Sequence, residues 1–560
     1  MIAHKHITKI IAVVMAAAVC LCLCAVAFSG RIAAAAGDTG LSMEYETALF
    51  DTGSIISVNI LMDDADWDEM LANATAEEYY PCDVEINGTT FYRVGIRPKG
   101  NTSLTSIAND PTTDRYSFKL EFDHYVDGQT CFGLDKLVLN NNYADATNMK
   151  EALIYDMYRY LGADASLYNY AAISVNGEYW GVYLALEAVE DSFLLRNYGA
   201  ESGALYKPDS MDNGGDPDAG DREFGDMGPG DMTPPDRRET DDQTDRPQFT
   251  PQKPTTDGES AAEPGEKPDM SFDFAGGKGA FSMSSGGADL NYTDDDPDSY
   301  ETIWDGEVTN TTKADHKRVV TALRNISEGT ELEDYMDVDN LLRYMAVHVF
   351  SVNEDSLSGS MAHNYYLYES GGRLNILPWD YNLALGGMGG GNDAASVVND
   401  AIDNAFSGTT FFDTLLADES YHSRYDAYLQ QLVSEYIDGG GFDAFYERVR
   451  SQIDALVETD PTAFYTYEEY QAAADTLYQV VKLRGQSIQG QLDGTIPSTA
   501  EEQRESDALV DASSLDLSVM GSMNTGGGGF GFGRQGAPSE ADTESASAPS
   551  QAGRPDDQGR

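Results

Sequence analysis

The sequence predicts an α+β protein built from two ordered blocks, a β-rich one over residues 40–207 and a largely helical one over residues 288–495. Three observations support this. Apolar residues recur with period two around Asn-Gly pairs in the first block, and with helical spacing in the second. Between the blocks and after them, at residues 208–287 and 496–560, the composition turns to Asp, Gly, Pro and Ser with little apolar periodicity. Such segments bury too little surface to offset the entropy of ordering, so both are expected to be a disordered insertion and a disordered tail.

In the first block, CDVEINGTTFYRVGIRPKG reads as two strands around the turn Asn87-Gly88, a pair that readily adopts the positive φ of a tight hairpin. RYSFKLEF then sets Tyr116, Phe118, Leu120 and Phe122 on one face and Ser117, Lys119 and Glu121 on the other. ATNMKEALIYDMYRYLG predicts a helix capped by Thr147 and stopped by Gly162. NYAAISV and YWGVYLALEAV follow as a second hairpin around Asn176-Gly177.

In the second block, TKADHKRVVTALRNIS and DVDNLLRYMAVHVFSVN predict helices, and NYYLYESGGRLNILPWD predicts a hairpin around Gly371-Gly372. Residues 409–492 return to amphipathic helices whose aromatic stripes, including Phe442, Phe445 and Tyr446, are read as core.

Composition narrows the function. A net charge of −60 argues against nucleic-acid binding, which needs a basic face to displace counterions from phosphates. Residues 1–36 carry Lys5 and Lys9, an apolar run from Ile10 to Phe28 and small residues at Ala33–Ala36. This pattern predicts export through a signal peptide or an uncleaved membrane anchor, the latter being the expected route to a membrane. Three of the five cysteines fall in that segment, leaving Cys82 and Cys131, which could pair but cannot form a scaffold. No zinc-ligand spacing is present.

A β-rich lobe followed by a helical lobe with a hairpin is the layout of a protein-kinase-like enzyme. That chemistry needs a cation on the phosphates, an aspartate at the acceptor hydroxyl and an Asn/Asp pair for divalent metal. NEDSLSGSMAHNYYLYESGGRLNILPWD supplies the last three groups.

Six stretches in order make the likeness specific: GIRPKGNTS, SFKLEF, LVLNNNYADATNMKEALIYDMYRYLG, GEYWGVYLALEAVEDSF, NEDSLSGSMAHNYYLYE and LPWDYNLALGG. Together they resemble the CotH family of spore-coat-type secreted atypical kinases, over roughly residues 85–400 without the insertion. The resemblance implies an atypical protein-kinase-like two-lobed fold and transfer of the ATP γ-phosphate, with Mg²⁺ or Mn²⁺, to Ser/Thr of a protein substrate or of the protein itself. It implies Asp355 as the catalytic aspartate, Asp380 and Asn364 as metal ligands, and Lys119 as the strand lysine on the ATP phosphates. Asp355 and Asn364 stand nine residues apart, wider than in ordinary kinases, so the loop between them must be reshaped.

Each residue also has a structural reading. Asp380 before glycine-rich backbone could cap a turn, Asp355 could be an exposed loop acid, and Lys119 could face solvent. Lys119 is expected to pair with a glutamate on the following helix, for which Glu151 is the candidate, although Glu151 lies off the centre of that helix's apolar side. Lys150 falls inside the apolar sector, where an unpaired ammonium is costly. It must snorkel or meet an anion, an ATP phosphate or a buried acid such as Glu187. In RPKGNTS, Arg97, Asn101 and Ser103 could approach phosphates or merely form a turn, and Trp379 could stack on adenine or plug the interface. The rival function is a non-catalytic surface protein that uses the same fold to bind a partner, a matrix or a host receptor.

Overall fold

In the computed structural model, residues 40–199, 203–208, 286–359, 362–388, 393–403, 406 and 409–523 are described. Residues 1–36, expected to be a signal peptide or anchor, and nearly all of the acidic insertion lie outside these residues. Among the described residues no helix is long and apolar enough to cross a membrane.

The first block closes into a seven-stranded barrel. Its strands are β1 (Ile56–Leu61), β2 (Tyr80–Ile86), β3 (Thr89–Lys99), β4 (Ser117–Glu121), β5 (Lys136–Asn140), β6 (Tyr168–Val175) and β7 (Glu178–Glu187). Both Asn-Gly turns form as the sequence predicts, with φ of 50° and 80° at Asn87 and Gly88 and of 52° and 85° at Asn176 and Gly177. Closure comes from β1, which pairs antiparallel with β2 and parallel with β6, Ile56 facing Ala171. Alternate residues fill the interior: Val58, Ile60, Val84, Ile96, Phe118, Leu120, Leu139 and Ile173 are all buried there.

The outer face of β5–β7 is buried too. Val138, Tyr170, Leu184 and Leu186 share a core with Met149, Leu153, Ile154 and Met157 of a helix between barrel and helical block. Two short-range helices matter for the site: α1 (Thr102–Ala108) after β3, and this buried α2 (Lys150–Leu161) after β5. Gly162 ends α2 with φ 71° as predicted, but the helix starts at Lys150. Thr147 is spent on the preceding turn, where its hydroxyl donates to Asp145 and accepts from the Met149 amide. After β7 comes α3 (Asp191–Tyr198).

The second block packs α4 (Lys313–Ser327), α5 (Val338–Ser351), α6 (Ala394–Asn399), α7 (Glu419–Gln431), α8 (Gly441–Glu458) and α9 (Tyr467–Leu492) around the predicted hairpin. That hairpin is β9 (Tyr365–Ser370) and β10 (Arg373–Pro378), and a short strand, β8 (Ala204–Tyr206), extends it to three strands. Helix α4 begins with a reciprocal cap between Thr312 and Asp315.

The mixed α+β reading therefore holds, a sheet-rich region followed by a helical one. The barrel and the helical block belong to one compact unit, joined by α2 and by Arg115, whose buried guanidinium donates to Asp460 (2.9 Å), the Asn141 carbonyl (3.1 Å) and the Val182 carbonyl (2.6 Å). The tail begins later than composition suggests, because residues 496–523 are placed against the helices, with Ala512 and Met520 fully buried. Cys82 and Cys131 are buried free thiols and do not pair.

Removing one partner of a buried ion pair leaves the other charge uncompensated. Asp460→Ala is expected to destabilise the protein by about 3–5 kcal/mol, read as a lower urea midpoint.

Candidate active site

A cleft of about 280 Å³ opens where the barrel meets the β9–β10 hairpin. Polar groups dominate its lining: Lys99, Asn101, Thr102 and Ser103 from the end of β3 and start of α1, Asn140 from β5, and Glu151 from α2. Across it stand Asp355, His363, Asn364, Trp379 and Asp380, with Lys207 and Met523 at the edge.

The hairpin explains how Asp355, Asn364 and Asp380 meet. Asn364 immediately precedes β9 and Asp380 follows β10, and β9 and β10 are paired from Tyr365–Pro378 to Ser370–Arg373. The two residues are thus held at the same end of one ladder. Both adopt left-handed backbone, φ 57° and 60°, a conformation that costs non-glycine residues of order 1 kcal/mol or more and gathers at functional sites. The Asn364 amide donates to the Asp355 carbonyl (2.9 Å) and to its Oδ2 (3.1 Å). His363 Nε2 hydrogen bonds the other carboxylate oxygen. Asn353 links the two loops, accepting from the Asp355 amide (3.3 Å) and donating to the Asp380 carbonyl (3.2 Å).

Beneath these loops lies His348 near the end of α5. Its ring bonds the Tyr381 hydroxyl (3.0 Å) on one side and Ser358 (2.7 Å) and Ser356 (3.2 Å) on the other. The imidazole therefore ties the Asp355 loop to the residue after Asp380. Burial holds its pKa down at about 3, so it is neutral in this position.

Glu151 is the residue that sequence reasoning placed elsewhere. It points into the cleft beside Asp380 and away from Lys119. One carboxylate oxygen accepts from Asn140 (2.9 Å), while Oε1 is buried without a partner at hydrogen-bond geometry, the Tyr381 backbone N–H being near enough only to draw the carboxyl's pKa down. Burial and then the nearby Asp380 push the Glu151 carboxyl above its ordinary range. Asp380 is raised likewise, by burial first, against the pull of Lys99 and with a further push from Asp355. The buried Glu151 carboxylate with its orphaned oxygen, the half-buried Asp380 carboxylate and the Asn364 carbonyl make a hard-oxygen donor set that fits a divalent cation such as Mg²⁺ or Mn²⁺.

Of the remaining expected residues, Asn101, Ser103 and Trp379 line the cleft. Trp379 packs edge-on against Tyr366 with ring centroids 5.5 Å apart, and Lys99 Nζ lies 5.5 Å from its ring centroid.

Arg97, Lys119, Lys150 and Glu187 do not line it. Arg97 and Lys119 face each other on the β3–β4 ladder, two residue pairs along from Lys99 and Ser117. There Arg97 is ion-paired with Glu77 and Lys119 with Glu190 (2.7 Å), both buried. Burial alone would raise the Glu190 carboxyl, but Lys119 and Lys136 outweigh it and hold it at about 2. Lys119 thus finds its glutamate just after β7, and the lysines that reach the cleft are Lys99 and Lys207.

Lys150 is fully buried and turns the other way, its ammonium 3.4 Å from the Gly521 carbonyl. Burial lowers its pKa, opposed by Asp145. Glu187 is no partner for it. Its carboxylate accepts from Arg196 (2.9 and 2.6 Å) and from the Tyr45 hydroxyl (2.6 Å) on the far side of β7.

Comparison with known proteins assigns the chain to a family. The model of the CotH kinase protein family matches residues 96–488, well over half of the chain, and the chain belongs to that family. It is also similar to inner spore coat protein H of Bacillus subtilis (strain 168), 25% identical over 368 residues, which is 65% of this chain and 80% of that protein.

Because His348 is held neutral with a pKa near 3, the unfolded chain binds its proton first as pH falls. The stabilisation is complete above the unfolded value of about 6.5 and is lost toward pH 3. Between pH 6.5 and 5 the wild type should lose about 2 kcal/mol more stability than His348→Gln, measured as the difference in urea-unfolding free energies.

Proposed function

We propose that this protein is a CotH-type phosphotransferase that moves the γ-phosphate of ATP to a Ser or Thr hydroxyl of a protein. The observation that carries the reading is the convergence of Asp355, Asn364, Asp380 and the orphaned Glu151 oxygen on one cleft that also presents Lys99. On this reading the barrel and the helical block play the parts of the two lobes of a kinase, with the cleft between them.

Asp380, Asn364 and Glu151 are the residues that would hold Mg²⁺ or Mn²⁺, which when bound offsets phosphate charge. With its NH₂ group committed to Asp355, Asn364 keeps its carbonyl oxygen for a cation. Lys99 supplies positive charge to the triphosphate, and Asn101, Thr102 and Ser103 offer hydrogen bonds along the same wall. Trp379 presents an apolar edge to the cleft. Asp355, steadied by Asn364 and His363, accepts the proton of the acceptor hydroxyl as its oxygen bonds to the γ-phosphorus and the bond from that phosphorus to the β–γ bridging oxygen breaks, releasing ADP.

The name of the Bacillus relative supports an external or coat location, to which the N-terminal apolar segment would be the route. A coat role without catalysis remains the contrasting reading, favoured by that name alone.

Incubation of the full chain with labelled ATP and Mn²⁺ or Mg²⁺ tests the proposal. Transfer to protein Ser/Thr is expected, with Asp355→Asn losing about 10²–10⁴-fold in rate and Asp380→Asn losing ATP-dependent thermal stabilisation. A folded wild type that shows neither transfer nor stabilisation removes the reading. The two lysines separate cleanly: Lys99→Met should raise the KM for ATP with little change in stability. Lys119→Met should mainly destabilise the fold, because it leaves Glu190 short of one buried partner.

A further inference from the structure

The family match ends at residue 488, yet the ordered chain continues to Met523 and returns to the cleft. Its course is fixed by paired contacts. The Asn399 side chain accepts from the Val510 amide (2.9 Å) and donates to the Val510 carbonyl (3.0 Å). Further on, the Met520 carbonyl accepts from the Ala146 amide (3.0 Å), and the Met523 amide donates to the Gly387 carbonyl (2.8 Å). Met523 then forms part of the cleft wall.

These bonds fall on both sides of the carboxylate pair. One set grips residues 146–150, directly before Glu151, and the other grips the glycine loop that follows Asp380. We propose that residues 510–523 are a strap that completes the cleft and fixes Glu151 against Asp380, with Lys150 and Gly521 as its positioning residues.

Lys150 is the bolt between strap and helix. A buried ammonium needs acceptors, and the Gly521 carbonyl supplies one while Asp145, whose Oδ2 accepts from the Lys150 amide (3.0 Å), supplies the countercharge. Gly521 is required for the fit. Its φ is 81°, and a Cβ there would come within 2.6 Å of the Ala144 carbonyl oxygen, 2.8 Å of the Tyr465 hydroxyl and 2.9 Å of the Ala146 nitrogen. Any side chain must lift the strap from residues 144–146.

The kinetic readout of this inference rests on the phosphotransfer reading, but its structural readout does not. The test uses the full chain as wild type, Gly521→Val and Lys150→Met, with a chain ending at Met523 as a control expected to match wild type. Hydrogen exchange is followed over residues 145–155 and 381–387, and Mn²⁺ half-saturation is taken from thermal shifts and from phosphate transfer. Gly521→Val should speed exchange in both segments and raise the Mn²⁺ half-saturation about 10–100-fold, as loss of an outer-sphere support does. The proposal is overturned if exchange rises only within 510–523 while both segments and the Mn²⁺ response stay as in wild type. If Gly521→Val does not fold, Lys150→Met, which keeps the bulk, is judged by the same readouts. If wild type transfers no phosphate, the phosphotransfer reading fails, and the exchange data still decide the strap.

Discussion

Holding Asp380 and Glu151 in one cleft is unfavourable, since burial penalises both charges, Asp380 raises the proton affinity of Glu151, and Asp355 raises that of Asp380. The surrounding architecture is organised to pay that cost. Lys99 stands at the end of β3 as a partial countercharge, Asn140 satisfies one Glu151 oxygen, and left-handed backbone at Asn364 and Asp380 turns their side chains inward. A pair so arranged has its natural complement in a cation, which would convert the repulsion into attraction. The separate Arg97–Glu77 and Lys119–Glu190 pairs are neutral overall and keep the adjoining layer of the barrel from adding to the imbalance.

Much of this was legible in the sequence, and what was not follows from physics. Period-two runs and Asn-Gly pairs report local conformation, so the two barrel hairpins and the Gly371-Gly372 hairpin were readable. Barrel closure was not, because Ile56 finds Ala171 across more than a hundred residues and nothing local in β1 specifies a parallel partner. Asp355, Asn364 and Asp380 were named from the family resemblance, and the hairpin brings Asn364 and Asp380 to the same end of one ladder beside Asp355. Lys99 and Lys119 lie on the same outer face of adjacent strands, Lys99 opposite Ser117 and Lys119 opposite Arg97. Side-chain alternation identifies that face but cannot say which layer reaches the cleft.

The misplacement of Glu151 has a similar origin. A helical wheel assumes one apolar side, whereas α2 is enclosed by the barrel on one flank and α5 on another, with Tyr158 stacked on Tyr344 at 6.0 Å. Nearly the whole circumference is buried, so distance from an apolar centre no longer marks a solvent-facing position. The segment 496–523 misled for the opposite reason. Its acidic, Ser-rich composition resembles a disordered tail, but Ile496, Ala512, Leu517 and Met520 are buried against the rest of the chain. A few anchors with backbone bonds between them suffice where the receiving surface is already formed.

The short strand β8 shows how this fold accommodates a large detour. Leu205 pairs with Tyr368 just before the chain departs beyond Pro208, and after its return the Ala288 carbonyl accepts a hydrogen bond from Tyr365 (2.6 Å). Departure and return are thus moored to the same strand, β9, close to the cleft rim. Because both flanks are bonded to β9, the hairpin that carries Asn364 and Asp380 is braced by chain from either side of residues 209–285.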